Sequence, residues 1–310
     1  VKLKKNIYFC CKISYYMNND KIVVGLGEVL WDCIPDGMTL GGAPANFAFH
    51  AAQYGCHGVV ASAIGCDTNG NKLLVKLEEY GLQHVIARTD KQTGIVDVKF
   101  DTPGCPRYDI IEDVAWDVIP FTEAMLQLAQ RCDAVCFGTL AQRSKQSRAT
   151  IYEFLDAMPD KSLRVYDANI RQHFFSENVI TESLKRCDVL KVNDSELALF
   201  CSLFGIDGQD IETKCRILIE EYSLNMIILT CGDKGSYVIT KNEESFIPST
   251  QVDVVDTVGA GDSFTAAFIA AVLDGRSLID AHRFAAAVSE YVCTQTGATP
   301  QWNDVLMSLK

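Results

Sequence analysis

Short apolar runs and longer amphipathic stretches alternate along most of the chain. KIVVGLG (21–27), GVVASAI (58–64), DAVCFG (133–138), LRVYDAN (163–169), DVLKVN (188–193), MIILTCG (226–232) and SYVIT (236–240) read as strands. Between them, NKLLVKLEEYG (71–81) places Leu73, Leu74, Leu77 and Tyr80 at helical spacing and stops at Gly81. TEAMLQLAQRC (122–132), opened by Thr122 in a capping position, and DIETKCRILIEEY (210–222) predict two more helices. Strands apolar on both faces and separated by helices predict an α/β fold with a parallel sheet covered on two sides. Two segments break the rhythm. WDCIPDGMTL (31–40) and TGIVDVKFDTPGCPRYDII (93–111) alternate residue by residue and carry Pro-Asp-Gly and Pro-Gly turns. They predict a small antiparallel flap fed by two excursions from the main sheet. A lid that excludes water and a pair of surface hairpins without a role fit this pattern equally. No internal repeat or Pro/Ser-rich linker divides the chain.

At 310 residues there is room for one large α/β domain or two small ones. The formal net charge of −12 argues against a nucleic acid or an anionic membrane as partner. Thirteen cysteines are many, but the count is odd and no CxxC pair occurs. Cys132 and Cys136 straddle a helix-to-strand junction, and Cys187, Cys201, Cys215 and Cys293 fall among apolar residues. Reduced core thiols of a cytoplasmic protein fit better than a secreted scaffold. No stretch reaches the ~18 apolar residues that cross a bilayer, so a soluble protein is expected. The first 20 residues share no period with the rest, and their apolar run, 7–11, is cut by Lys12 and is too short for a signal peptide. They are expected to be a leader outside the fold, 1–16 being upstream read-through and Met17 the natural start. The folded domain is expected over 21–310, with lid segments at about 31–40 and 93–111.

The glycines decide what kind of site this is. No Gly-Lys-Ser or Gly-Lys-Thr occurs, so there is no P-loop. Gly25-Leu26-Gly27 opens like a dinucleotide fingerprint, but Leu30 stands where the third glycine belongs, and Phe264 takes that place after Gly259-Ala260-Gly261. A nicotinamide enzyme is therefore disfavoured. VDVVDTVGAGDSFTAAFIAAVL (252–273) reads as a strand, a turn of small residues and a buried helix. Small side chains let successive backbone N–H groups converge on an anion at the helix N-terminus. Asp262 in that turn has two readings. It is the N-cap of the helix, or it is a base that takes the proton of a hydroxyl held against a phosphoryl group, and one residue can serve as both.

DTVGAGDSFTAAFI (256–269) resembles the C-terminal signature of the ribokinase-like, or PfkB-type, carbohydrate kinases, and LGGAPANFAFHAAQYG (40–55) resembles their N-terminal glycine-rich signature. The likeness runs over about 21–301. It implies a three-layer α/β/α fold with a mostly parallel central sheet and a small β lid. It also implies that Asp262 is the catalytic base and that the amides of Gly259, Ala260 and Gly261 form the anion hole, with Val258 in place of the usual threonine. On the sugar side it implies Asp32 of GEVLWD (27–32), Gly41, Gly42 and Asn46, joined by Arg171 of YDANIRQHFF (166–175), which would meet the sugar or the γ-phosphate, with Asn169 and Asp167 shaping the site. Gly41 and Gly42 would let backbone approach the ligand. For the cofactors ATP and Mg²⁺ the resemblance implies Asn193 and Glu196 of KVNDSE (191–196), acting on the metal largely through water, and Thr230, Gly232 and Gly235 of TCGDKG (230–235), with Lys234 a weaker candidate. AAAVSEYVCTQTGATP (285–300) would shape the adenine slot. Some members bind K⁺ through backbone near Asp256 and Thr296-Gly297, which makes Asp256 a candidate there. Plainer readings stand beside these: Asn46 in a helix start built by Pro44, Asp32 and Arg171 as solvated charges, Asn193 as a helix cap.

GEVLWD, LGGAPANFA and TGIVDVKFD resemble bacterial fructokinases most. The expected activity is ATP-dependent phosphorylation of a primary hydroxyl, with D-fructose as substrate. A kinase of 2-keto-3-deoxygluconate or another ketose would use the same apparatus. A non-catalytic sugar-binding protein of this fold is the alternative from another class, and intact Asp262 and Gly261 speak against it. The expected partners are a small sugar and ATP, with no nucleic acid and no membrane; the exposed edge of the flap could pair with a second subunit to make a homodimer. None of the five histidines stands at ligand spacing.

Overall fold

Each apolar run from 21–27 to 236–240 singled out above becomes a strand, and the computed structural model adds edges that the pattern missed. It describes residues 21–34, 37–102, 105–206 and 210–310. The expected leader and the Pro35-Asp36 and Pro103-Gly104 turn centres lie outside the described residues. In chain order the elements begin with β1 (Ile22–Leu26), β2 (Leu30–Ile34), β3 (Gly37–Gly41), α1 (Ala43–Tyr54), β4 (His57–Gly65), α2 (Thr68–Glu79), β5 (Gln83–Thr89), β6 (Gly94–Thr102) and β7 (Cys105–Ile110). They continue with α3 (Glu123–Ala129), β8 (Ala134–Gly138), α4 (Lys145–Ala157), β9 (Leu163–Asp167), α5 (Glu177–Leu184), β10 (Val189–Asn193), α6 (Asp194–Phe204) and α7 (Ile211–Tyr222). The last are β11 (Met226–Thr230), β12 (Ser236–Thr240), β13 (Glu244–Ile247), α8 (Ala260–Leu273), α9 (Leu278–Cys293) and α10 (Asp304–Ser308).

Nine strands form the main sheet in the order β13-β12-β11-β10-β9-β8-β1-β4-β5. Pairing is parallel from β11 through to β5 and antiparallel at β12 and β13. The central strands are buried along most of their length, as strands covered on both faces must be. The chain leaves β1 in one direction to β4 and β5, then returns to β8 on its other side. That reversal opens a crevice at the carboxyl ends of the strands, where α/β sheets hold ligands. Helix starts follow local chemistry: Asp67, Thr122, Ser144, Ser176 and Asp210 each accept a hydrogen bond from a backbone amide one turn on. In α2 the predicted stripe points inward; Leu73 and Leu77 are fully buried, each contributing about 1.5–3 kcal/mol. Helix α8 is apolar on all sides, with 263–271 buried, and packs between α1 and α9.

Two expectations need correction, and two strands were missed. The second sheet, β3-β2-β6-β7, is the predicted flap, but it is mixed rather than antiparallel, since β2 and β6 pair in parallel. Both follow parallel strands, β1 and β5, and so arrive running the same way. Residues 252–256, expected as a strand, are not one. Val254 and Val255 are 60% and 62% exposed, and the amides of Val255 and Asp256 donate instead to the Cys293 carbonyl at the end of α9. Strands β5 and β13 carried no apolar run because each is an edge, half-covered and mixed in polarity.

Cys132, Cys136, Cys187, Cys201, Cys215 and Cys231, with His50 and His282, are core residues, whereas Cys66 and His173 are exposed. Cys132 and Cys215 are buried, and burial pushes both thiols up to about 12. His50 sits between the Ala298 carbonyl and the Trp302 indole, His282 between Ser236 and Ser245, and burial pushes both imidazoles down to about 4. Among the described residues no helix is long and apolar enough to cross a membrane.

Candidate active site

Two helices opened by glycine meet at the crevice. Helix α1 starts after Gly42 (φ 108°) with Pro44 in its first turn, and α8 starts after Gly259 (φ 77°). At Gly259 the left-handed backbone favours glycine, and an added Cβ would stand 2.7 Å from Ala298. Packing of α1 along α8 brings together residues 216 positions apart: Asn46 Nδ2 donates to Asp262 Oδ2 at 2.8 Å. Asp262 is not the N-cap. Gly259 holds that position, no side chain caps the helix, and Asp262 lies within the first turn with its carboxylate turned to α1.

A cavity of about 740 Å³ lies over this pair. Its polar lining is Glu28, Asp32, Asn46, Asn169, Arg171, Lys191, Asn193, Glu196 and Asp262, and Leu30, Val96, Ile110 and Leu140 form an apolar wall. Gly42, Thr230, Gly259 and Gly261 also line it. A second cavity, of about 1010 Å³, is lined by Thr230, Gly232, Gly235, Ile247, Pro248, Val252, Ala260, Phe264, Ala286, Ser289, Glu290 and Cys293, among others. Asn193, Thr230, Thr257 and Gly261 belong to both. The glycine turn is thus the wall between two compartments, each large enough for a small molecule.

The first compartment is acidic, and burial governs its charge. Glu28 is 2% exposed; burial pushes its carboxyl up to about 7, with the nearby charge of Asp262 adding to the rise. Burial also pushes Asp32 up to about 6, against the pull of Arg171. Asp262 stands at about 6, raised by burial and by the charge of Asp167, and held down by the Asn46 hydrogen bond, Lys191 and Arg171. A carboxylate so placed is ionised at neutral pH and basic enough to accept a proton.

Around this centre the loops are tied by amides. Glu196 Oε1 accepts from Ile170 N and Oε2 from Asn193 N, both at 2.8 Å, while Asn193 Oδ1 accepts from Glu196 N at 2.9 Å. One capping box therefore starts α6 and anchors the 168–172 loop, where Asn169 and Gln172 adopt left-handed backbones (φ 40° and 49°). Asp256 accepts from Val258 N at 3.0 Å and Gly297 N at 3.1 Å, tying two loops together outside both cavities. Among the described residues no group of three His, Cys, Asp or Glu side chains could hold a metal. A site with Glu196 and Asn193 alone suits Mg²⁺, which keeps several waters and takes its other ligands from phosphates.

Nearly all the predicted residues converge. Asp32, Gly42, Asn46, Asn169, Arg171, Asn193, Glu196, Thr230, Gly259, Gly261 and Asp262 line the first cavity; Ala260, Gly232 and Gly235 line the second. Gly41 and Asp256 line neither, and Lys234 does not reach the second. The glycine pair 41–42 makes room for the protein's own atoms: a side chain at Gly41 would collide with the Asp32 carboxylate, and one at Gly42 with the Glu28 carbonyl. Sequence reasoning missed Glu28 and Lys191. Their signal was a single charge directly after, or inside, an apolar strand.

Over residues 11–304 the chain matches the pfkB family of carbohydrate kinases. It is 27% identical over 278 residues to a sugar kinase of Pyrococcus horikoshii, covering 86% of this chain and 85% of the relative. Fructokinase-2 of Zea mays is 27% identical over 310 residues, 91% of each protein. A fructokinase of Xylella fastidiosa, solved with bound ATP, has the same fold with a TM-score of 0.81 at 20% identity, covering 94% of this chain and 98% of that one. The fold is the ribokinase-like α/β fold. The chain belongs to the pfkB family of carbohydrate kinases.

Proposed function

We propose that this kinase transfers the γ-phosphoryl group of ATP to a primary hydroxyl of D-fructose. The observation that carries the reading is Asp262, held by Asn46 in the acidic compartment and one residue from the glycine that both compartments share. ATP occupies the larger compartment, with adenine against Ala286, Ser289 and Cys293 and phosphates toward Thr230, Gly232 and Gly235. The sugar occupies the smaller one. Asp262 takes the hydroxyl proton as the sugar oxygen meets the phosphorus, and the amides of Gly259, Ala260 and Gly261 hold the phosphoryl oxygens. Asp32, on lid strand β2, accepts sugar hydroxyls, and Asn169 and Arg171 close the other side. Asn193 and Glu196 would hold Mg²⁺ through water, and the ion would supply positive charge against the phosphates. The loops tied by Asp256 are the proposed K⁺ site.

Charge favours a neutral sugar. Glu28, Asp32 and Asp262 line the compartment against Arg171 and the paired Lys191, so the carboxylate of 2-keto-3-deoxygluconate is repelled. The fructokinases among the relatives support a ketose. ADP release with ATP-Mg²⁺ tests this across fructose, tagatose, ribose, adenosine and 2-keto-3-deoxygluconate. Highest kcat/KM with fructose is expected. A preference for the acid sugar would overturn the charge argument, and sugar binding without any ADP release would move the protein to the non-catalytic class.

A further inference from the structure

Lys191 is a charged residue in the middle of β10, between Leu190 and Val192, both fully buried. It is itself 7% exposed, and the Asp167 carboxylate facing it from β9 is 4% exposed. Their ion pair is 3.2 Å long and leaves Asp167 Oδ1 without a hydrogen bond. Taking two charges out of water costs several kcal/mol per ion, and an apolar pair of similar volume would commonly be as stable. Stability alone therefore does not explain the pair.

The ammonium's position does. Its carbon stem runs under the glycine turn, and a Cβ built on Gly261 would stand 2.8 Å from Lys191 Nζ. The absent side chain at Gly261 thus leaves the turn open to a cation from below. Lys191 also lines the compartment that holds Asp262 and Glu196. An ammonium has three N–H donors, and among the described residues Asp167 is the carboxylate it pairs with. Burial disfavours its charge, but Asp167, then Glu196 and Asp262, outweigh that and raise its pKa, so it stays protonated at neutral pH. A P-loop would supply such a lysine from its own sequence; this chain has no Gly-Lys-Ser or Gly-Lys-Thr.

We propose that Lys191 is a catalytic residue, whose ammonium meets an oxygen of the transferring phosphoryl group beside the amides of the glycine turn. This rests on the placement of phosphoryl transfer at that turn. As the bond from phosphorus to the sugar oxygen forms, the bond to the β-phosphate oxygen breaks. The hydroxyl proton goes to Asp262 and the electron pair leaves on ADP. Lys191 gives up no proton; it balances charge that the phosphoryl oxygens hold in the transition state. Asp167 orients it and keeps it from collapsing onto Asp262.

A double-mutant cycle separates this from a purely structural pair. Lys191→Met, Asp167→Asn, the double variant and Lys191→Arg are assayed for kcat, KM for sugar and ATP, and binding of ADP with and without fluoroaluminate in the presence of sugar. Lys191→Met strands the Asp167 carboxylate and Asp167→Asn strands the Lys191 ammonium, so the lysine is read from the double variant against wild type, a comparison in which neither protein holds a stranded charge. The double variant is expected to lower kcat by about 10²-fold or more, to leave ADP affinity unchanged, and to lose the tightening by fluoroaluminate. Lys191→Arg in the wild-type background is expected to keep part of kcat. If the double variant keeps both kcat and the fluoroaluminate tightening, the lysine only balances its partner and the proposal falls. Asp262→Asn runs alongside. Full activity in that variant would sink the placement of the reaction itself, whereas its inactivity beside a fully active double variant sinks the lysine alone.

Discussion

Replacing Glu28 by glutamine should stabilise the protein, increasingly as pH rises from about 5 to 7. The carboxyl is 2% exposed, and its Oε2 is buried with no hydrogen-bond partner among the described residues. Burial raises its pKa from 4.5 to about 7. A carboxyl whose folded pKa is raised lends its full stability below the unfolded pKa and loses it as pH climbs to the folded one. At about 1.4 kcal/mol per pH unit, the 4.5-to-7 window in wild type amounts to about 3 kcal/mol. Glutamine carries no such cost, though its amide inherits the site's lack of a partner, so this figure is an upper bound. Urea midpoints for both proteins, taken from about pH 5 to pH 8, measure it. The variant's advantage should be small near pH 5, grow through pH 6 and level off above 7. An advantage that does not change with pH, or a variant weaker at pH 8 than at pH 5, would refute the burial argument.

The same titrations shape activity. Asp262, at about 6, must be ionised to act as base, so kcat/KM for the sugar should fall as pH drops through about 6; a flat profile down to about pH 5 would exclude it. Asn46→Ala removes a hydrogen bond that favours the ionised form, so that acid limb should move up by about one unit, with kcat reduced about tenfold or more at neutral pH. The two glycines of the turn should separate stability from chemistry. Gly259→Ala forces an L-residue to a φ of 77° against the Ala298 backbone and should cost about 1–3 kcal/mol in unfolding experiments. Gly261→Ala meets only the far end of the Lys191 side chain, which can yield; its melting temperature should change little while its kcat drops.

Much of this was legible in the chain because its physics is local. Strands β1, β4, β8, β10 and β11 are apolar runs, and a strand covered by helices on both faces has to be one. Thr122 and Asp210 announce their helices through the amides they accept from. The small residues 259–261 could hardly serve packing, so a turn against an anion was the better reading. What escaped depends on partners remote in sequence. Residues 252–256 alternate like a strand, yet no free sheet edge receives them and α9 does. Edge strands β5 and β13 lack the double coverage that makes a strand conspicuous. The N-cap reading of Asp262 falls because Gly259 holds that position, and the carboxylate turns instead to Asn46, which α1 delivers from the other end of the chain. Glu28 and Lys191 look like single interruptions of apolar strands until the fold sets both against Asp262. Gly41 and Gly42 were read as letting backbone approach a ligand; an added side chain at either would meet Asp32 or Glu28, and of the two only Gly42 lines the cavity.

The central claim is that Asp262 is the base of a sugar kinase, and one comparison bears on it most directly. Wild type and Asp262→Asn are assayed for ADP release with fructose and ATP-Mg²⁺, with sugar and nucleotide binding measured by calorimetry on the same samples. The account predicts that the variant binds both ligands within a few-fold of wild type and loses about 10²–10⁴ in kcat. A variant that keeps its kcat while binding normally would contradict the account.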